Sequence, residues 1–205
     1  MPRPLAISRL SRDYTVSIKS LEATRCKVEA LLIRGELTVS ETEQVYAGLF
    51  LDAFTEFEAL IEDVFLGILS GTHSSTTSKR RIKIIPISLT REILFEGKQY
   101  LDWLPLDKHT RKRAKRFLDN GAPFSTLTAA EEKKLERLHF LRNAVAHKSD
   151  NAKVKFEASI QHLNLLPQEK TPTGYLRSKP QGSSGPNQYQ IAVSDLESLA
   201  QKLCA

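Results

Sequence analysis

The stretch LRNAVAHK, residues 141 to 148, sets an arginine, an asparagine and a histidine among alanines and a valine. Histidine, with an ordinary pKa of about 6.5, can take or give a proton near neutral pH. Arginine can hold two phosphate oxygens through parallel charged hydrogen bonds. Asn143, about one helical turn before His147, could orient that imidazole or bind phosphate itself. Together these groups suit cleavage of a phosphodiester without a metal. A neighbouring hydroxyl loses a proton as it attacks phosphorus, the leaving oxygen gains one, and the arginine holds the charge that builds between them. A ribose 2′-OH is the hydroxyl such a site would use, which makes RNA the substrate it fits. The plainer alternatives are a His147 that complements a helix C-terminal dipole and an Arg142 that lies over apolar neighbours.

The element carrying these residues is legible. Thr128 followed by Glu131 has the spacing of a capping box and predicts a helix from there to about His147. At about 100° per residue, Leu135, Leu138, Leu141 and Val145 share one stripe, which predicts the face that docks on the rest of the chain. Arg142 falls on the edge of that stripe. Phe140, Asn143 and His147 form a second stripe, too polar for a core yet carrying an aromatic ring, which predicts contact with a partner surface. Two copies meeting symmetrically would line one cleft with two arginines and two histidines.

Other helices are predicted over 9 to 35, over a long apolar segment opened by Ser40 and Glu43, over 90 to 103, over the basic segment 108 to 119, over 152 to 163 and over 195 to 204 from Ser194 and Glu197. IKIIPISL reads as extended chain, because Pro86 interrupts a short β-branched run. Pro, Gly and Ser make 167 to 188 a long exposed loop. Neither GxxxxGK[ST] nor GxGxxG occurs, so a phosphate-loop nucleotide fold is not indicated. The sum is an all-α bundle of one domain over 1 to 205.

The chain carries a formal net charge of +6, and the excess concentrates in SKRRIK (78 to 83) and DKHTRKRAKR (107 to 116). That pattern favours an anionic partner such as nucleic acid, although solvated basic faces are common. Lys79, Arg80, Arg81, Arg111, Lys112, Lys115 and Arg116 are the candidate RNA contacts. The two cysteines, Cys26 and Cys204, fit neither a disulfide framework nor zinc-ligand spacing, so no metal or cofactor is expected. The N-terminal stretch lacks the apolar run of a secretory signal, and acidic residues break the longest apolar segment. A cytoplasmic protein that does not span the membrane is expected.

RNAVAH resembles the R-x(4 to 6)-H motif of the HEPN domains, with a polar residue directly after the arginine. LDAFTEFEALIEDVF resembles the long acidic and apolar helix that precedes the motif in many members, and the order of the two segments also agrees. The resemblance covers roughly 40 to 165 and is closest to the stand-alone bacterial proteins of the RiboL-PSP-HEPN type. It implies a HEPN-like helical bundle that forms a homodimer and, in active members, a metal-independent endoribonuclease of the toxin or phage-defence kind. By position, Arg142 and His147 become the catalytic pair and Asn143 the polar assistant. Glu58 matches an acidic position of the preceding helix, with Glu56 and Glu62 close by. One departure bears on control. Members silenced by a nucleotidyltransferase antitoxin carry a tyrosine two residues after the motif histidine, where this chain has Ser149. A protein inhibitor or antitoxin acting in another way remains compatible. The alternative is a non-catalytic HEPN module that binds RNA or a protein partner; a purely structural or regulatory subunit is a third class.

Overall fold

The computed structural model describes residues 4–81, 86–147 and 149–205. The fold is all-α: the described residues form eight α-helices, two short 3-10 turns and one pair of two-residue strands. The helices are α1 (Ser8–Ile33), α2 (Val39–Ser70), α3 (Ile87–Phe95), α4 (Thr110–Phe117), α5 (Ala129–Ala146), α6 (Asp150–Ile160), α7 (Pro172–Arg177) and α8 (Gln188–Leu203). Strands β1 (Leu5–Ala6) and β2 (His73–Ser74) pair in parallel, Leu5 opposite His73. No described helix is long and apolar enough to cross a membrane.

The chain packs as two compact units. The first comprises Met1–Thr15, Glu56–Glu132 and Glu197–Ala205. Its centre is Phe65, fully buried, whose ring meets Trp103 at 5.4 Å and stacks on Phe124 at 5.5 Å between centroids. Such pairs add to the burial of apolar area because the ring quadrupoles align edge to face or offset. Glu62 accepts from Trp103 Nε1 at 3.0 Å and pairs with Arg91 of α3, which pins the extended chain after α3 against α2.

The second unit comprises Val16–Thr55 and Lys133–Leu196. Tyr46, Phe50, Phe54, Phe156, Leu176, Tyr189 and Leu196 are among its most deeply buried side chains, and Leu135, Leu138 and Leu141 of α5 are buried as their spacing predicts. Val145, expected in the same stripe, is only half-buried. A polar knot lies within this core. Tyr46 Oη donates to Glu29 Oε1 at 2.8 Å and accepts from Arg25 at 3.1 Å and from Asn187 Nδ2 at 3.1 Å, while Arg177 grips Glu29 at 3.0 Å.

Several helix boundaries differ from the expectation. The cap of α2 is Thr38 with Glu41, not Ser40 with Glu43: Thr38 N–H donates to Glu41 Oε2 at 2.7 Å and Glu41 N–H to Thr38 Oγ at 3.2 Å. The same spacing occurs twice in ELTVSETE, and the earlier pair begins the helix. Helix α3 covers 87–95 rather than 90–103, because Glu96 and Gly97 both take positive φ (49° and 78°) and stop it, leaving Leu101, Trp103 and Leu104 buried in non-helical chain. Ile87 to Leu89, expected to be extended, form its first turn; residues 82–85 of that run lie outside the described residues. Helix α6 starts at Asp150, capped by Ser149, and ends at Ile160.

The stretch 167 to 188 is not a long exposed loop. It holds a 3-10 turn (Pro167–Lys170) and α7, whose Leu176 is fully buried, and it closes on Asn187, also buried. Asn187 then caps α8, seven residues before the start expected from Ser194. Its Oδ1 accepts from Gln190 N–H at 3.0 Å and its own N–H donates back to Gln190 Oε1 at 3.2 Å.

Candidate functional site

Helix α5 is fixed at its start by the expected capping box, with Thr128 N–H donating to Glu131 Oε2 at 2.7 Å. Lys202 also donates to Glu131, and the two interactions hold its carboxyl pKa down at about 2. The helix ends at Ala146, where His147 N–H still donates to Asn143 O at 2.8 Å. That last turn sets the exposed His147 ring on the same side as Asn143 and Phe140.

These three residues line an open cleft of about 290 Å³ whose other wall is the start of α6, with Ser149, Asn151, Ala152 and Lys155. The second stripe of α5 therefore faces a cavity and not the core. The α6 N-terminus carries the positive end of its dipole there, and Lys155 adds a full charge. Ala152 N–H is taken by the Ser149 hydroxyl at 3.4 Å, and Asp150 stands in the same first turn.

Asn143 does not reach the His147 ring with its carboxamide. Its Oδ1 accepts from Arg142 Nη1 at 3.1 Å and its Nδ2 lies 3.0 Å from His139 Nε2. Arg142 and Asn143 are both half-buried. The guanidinium is thus held from the side by a group that is itself held one turn back. His139 in turn packs against Phe54 of α2 at 6.3 Å between centroids and against Phe140 at 6.5 Å. His139 was not among the residues expected from sequence. The signal was present: His139, Asn143 and His147 recur every four residues along one helix face.

Glu58 lies half-buried on α2 within the first unit. Of its neighbours in sequence, Glu62 is committed to Trp103 and Arg91.

The basic candidates also lie in the first unit, where backbone pairing joins segments far apart in sequence. Arg81 N–H donates to Phe117 O at 3.0 Å and Asp119 N–H to Lys79 O at 2.8 Å, so 79–81 runs antiparallel to 117–119 at the end of α4. Lys79, Arg81, Lys112, Lys115 and Arg116 are exposed there, with Arg81 3.4 Å from Asp119. Arg80 and Arg111 turn inward instead. The Arg80 guanidinium lies over Gly71, whose φ of 76° is a conformation that glycine adopts freely and L side chains rarely do. Arg111 is ion-paired with Glu132 and reaches Phe124 O at 3.4 Å. Set against protein-family models, curated proteins and solved structures, the chain matches none.

Proposed function

We propose that this chain is a metal-independent endoribonuclease of the HEPN type, acting on RNA in the toxin or phage-defence manner, with Arg142 and His147 as its catalytic pair. The observation that carries this reading is the cleft between the end of α5 and the start of α6. It presents an exposed imidazole beside Lys155 and a helix N-terminus; Arg142 is not part of its lining and is tied to it only through Asn143, which lines the cleft and accepts from the guanidinium. An imidazole supplies the proton transfers, and the cationic groups suit a phosphate whose charge grows as the 2′-oxygen attacks. The R-x4-H spacing of the sequence supports the same assignment.

The half-buried Phe140 and exposed His147 also support a symmetric homodimer, in which a second copy covers the aromatic ring and doubles the set of catalytic groups. Glu58 is a candidate fourth member of the site by the resemblance alone. The exposed set Lys79, Arg81, Lys112, Lys115 and Arg116 would hold RNA backbone. It also favours one other reading, a non-catalytic module that binds RNA through those cations.

Incubation of the purified chain with a mixed RNA pool in EDTA, beside His147→Ala and Arg142→Ala, separates the two. Cleavage leaving 2′,3′-cyclic phosphates, reduced at least about 100-fold in either variant, is expected. Intact RNA, bound in a salt-sensitive way by wild type and both variants alike, overturns the nuclease in favour of the binding module.

A further inference from the structure

Within the second unit, away from the stripe that carries His147, α5 and α8 face each other across a separate cavity of about 280 Å³. Lys134, Arg137, Leu138 and Leu141 of α5 line one side, and Gln188, Ile191, Ala192 and Asp195 of α8 the other. Each set has the i, i+3, i+4, i+7 spacing of a single helix face. The floor is apolar: Leu138, Leu141, Phe156, Ile160 and Ala192 are all buried. One wall is aromatic, with Phe156 and Tyr175 meeting edge to face at 5.6 Å and 75°.

The mouth is polar and cationic. Asp195 is neutralised by Lys134 at 2.7 Å. Arg137, two residues before His139 and on the opposite side of the helix, is exposed at the rim, and among the described residues no carboxylate pairs with it. His162 stands exposed across the opening. Tyr175 Oη donates to Gln188 Oε1 at 3.2 Å, and burial raises the phenol pKa, so it stays a neutral hydroxyl whose lone pairs can accept.

We infer that this cavity binds a small aromatic anion, its ring against the Phe156–Tyr175 wall and its charged group at Arg137. An apolar floor with a few polar groups converging at the mouth is the usual form of a small-molecule site, and the volume lies just below the about 300–1,000 Å³ such sites usually span. That size suits one or two fused rings. At the mouth the one acid, Asp195, is already paired with Lys134, so the Arg137 guanidinium is left to meet an anion. The site does not depend on the nuclease reading. Because Leu138 and Leu141 form its floor, an occupant would touch the helix that carries Arg142 and His147.

The test uses the full chain, isotopically labelled for amide NMR, titrated with 2-naphthoate and in parallel with the uncharged 2-naphthylmethanol. Saturable shifts confined to residues facing the cavity on α5, α6, α7 and α8 are expected, with the carboxylate binding more tightly. Arg137→Gln should weaken naphthoate about five- to tenfold and leave the alcohol unchanged. Ala192→Phe, which fills the floor, should abolish binding of both; Ser159→Trp, at the half-buried mouth, gives the same reading should the first variant fail to fold. Absence of saturable shifts at millimolar ligand, shifts centred elsewhere, or equal loss of both ligands in Arg137→Gln would each overturn the inference.

Discussion

Asn143 and His139 are joined side chain to side chain at 3.0 Å across one turn of α5, and Arg142 fixes which way round the joint is made. A guanidinium can only donate, so the carboxamide oxygen must face Arg142 and the amide nitrogen must face the imidazole. His139 Nε2 is then an acceptor and its proton sits on Nδ1. The arginine proposed to hold phosphate is thereby positioned by a histidine that need not touch substrate. Replacing Asn143 by Ala should lower single-turnover cleavage of RNA about 10- to 100-fold, the scale on which a misplaced catalytic group costs rate. His139→Phe keeps the ring packing on Phe54 but loses the acceptor, and should fall between that variant and wild type. Wild-type rates in His139→Phe would refute the positioning role.

The seven basic candidates divide into two groups whose variants should behave differently. Lys79→Gln, Lys112→Gln, Lys115→Gln and Arg116→Gln remove exposed charges. Combined, they should flatten the dependence of log K on log salt for single-stranded RNA by about 0.7 for each phosphate no longer neutralised. Arg111→Gln breaks an ion pair that is only 20% and 30% exposed on its two sides, and should lower the melting temperature while leaving that slope unchanged. Gel-shift titrations at several salt concentrations, with thermal melts alongside, check both halves. A slope unaffected by the fourfold variant would remove the assignment.

What the sequence made legible follows the physics of local signals. The motif helix was readable to within a residue or two because its cap, its apolar stripe and its end are all written within eighteen residues of one another. The α8 start is harder to read because the NQYQ pair that caps it sits directly after the Pro, Gly and Ser run, whose composition speaks for loop even though Asn187 and Gln190 have capping-box spacing. The pairing of Arg81 with Phe117 and the inward turn of Arg80 were beyond reach, since both depend on contacts between segments distant in sequence. His139 lies between these cases: its spacing was visible, but that Asn143 would choose it over His147 depends on side-chain directions, which point back toward the helix N-terminus.

Acid should act on the first unit through Glu131. Its hydrogen bonds from Lys202 and from Thr128 hold its folded-state pKa at about 2, below the ordinary value of 4.5. A carboxyl depressed in the folded state stabilises above its unfolded pKa and loses that contribution as pH falls through the folded value. Glu131→Ala should therefore cost about 1 kcal/mol at pH 7, the usual loss on removing a helix cap, and the gap from wild type should close between about pH 4.5 and pH 2. Urea midpoints measured across that range are the check. A gap that stayed constant down to pH 2 would show that the carboxylate charge contributes nothing.

Tyr46 is fully buried, and its hydroxyl serves three partners at once. Burial pushes its pKa up, so the phenol stays protonated and can donate to Glu29. Burial also pulls the Glu29 carboxyl upward, but the bonds from Arg177 and Tyr46 outweigh it and leave the group ionised. In Tyr46→Phe the three partners are not left equally bare. Glu29 keeps Arg177 at 3.0 Å and Arg25 keeps Glu22 at 2.6 Å, whereas the buried Asn187 Nδ2 has lost its acceptor. The cost should be that of one stranded buried donor, about 1–3 kcal/mol. Asn187→Ala removes the same bond together with the cap of α8, so it should cost more than Tyr46→Phe by about 1 kcal/mol. The double variant should then be less destabilised than the sum of the two, because the stranded amide no longer exists. Strict additivity in thermal or urea unfolding would mean that the Tyr46–Asn187 bond contributes nothing to holding α8 in place.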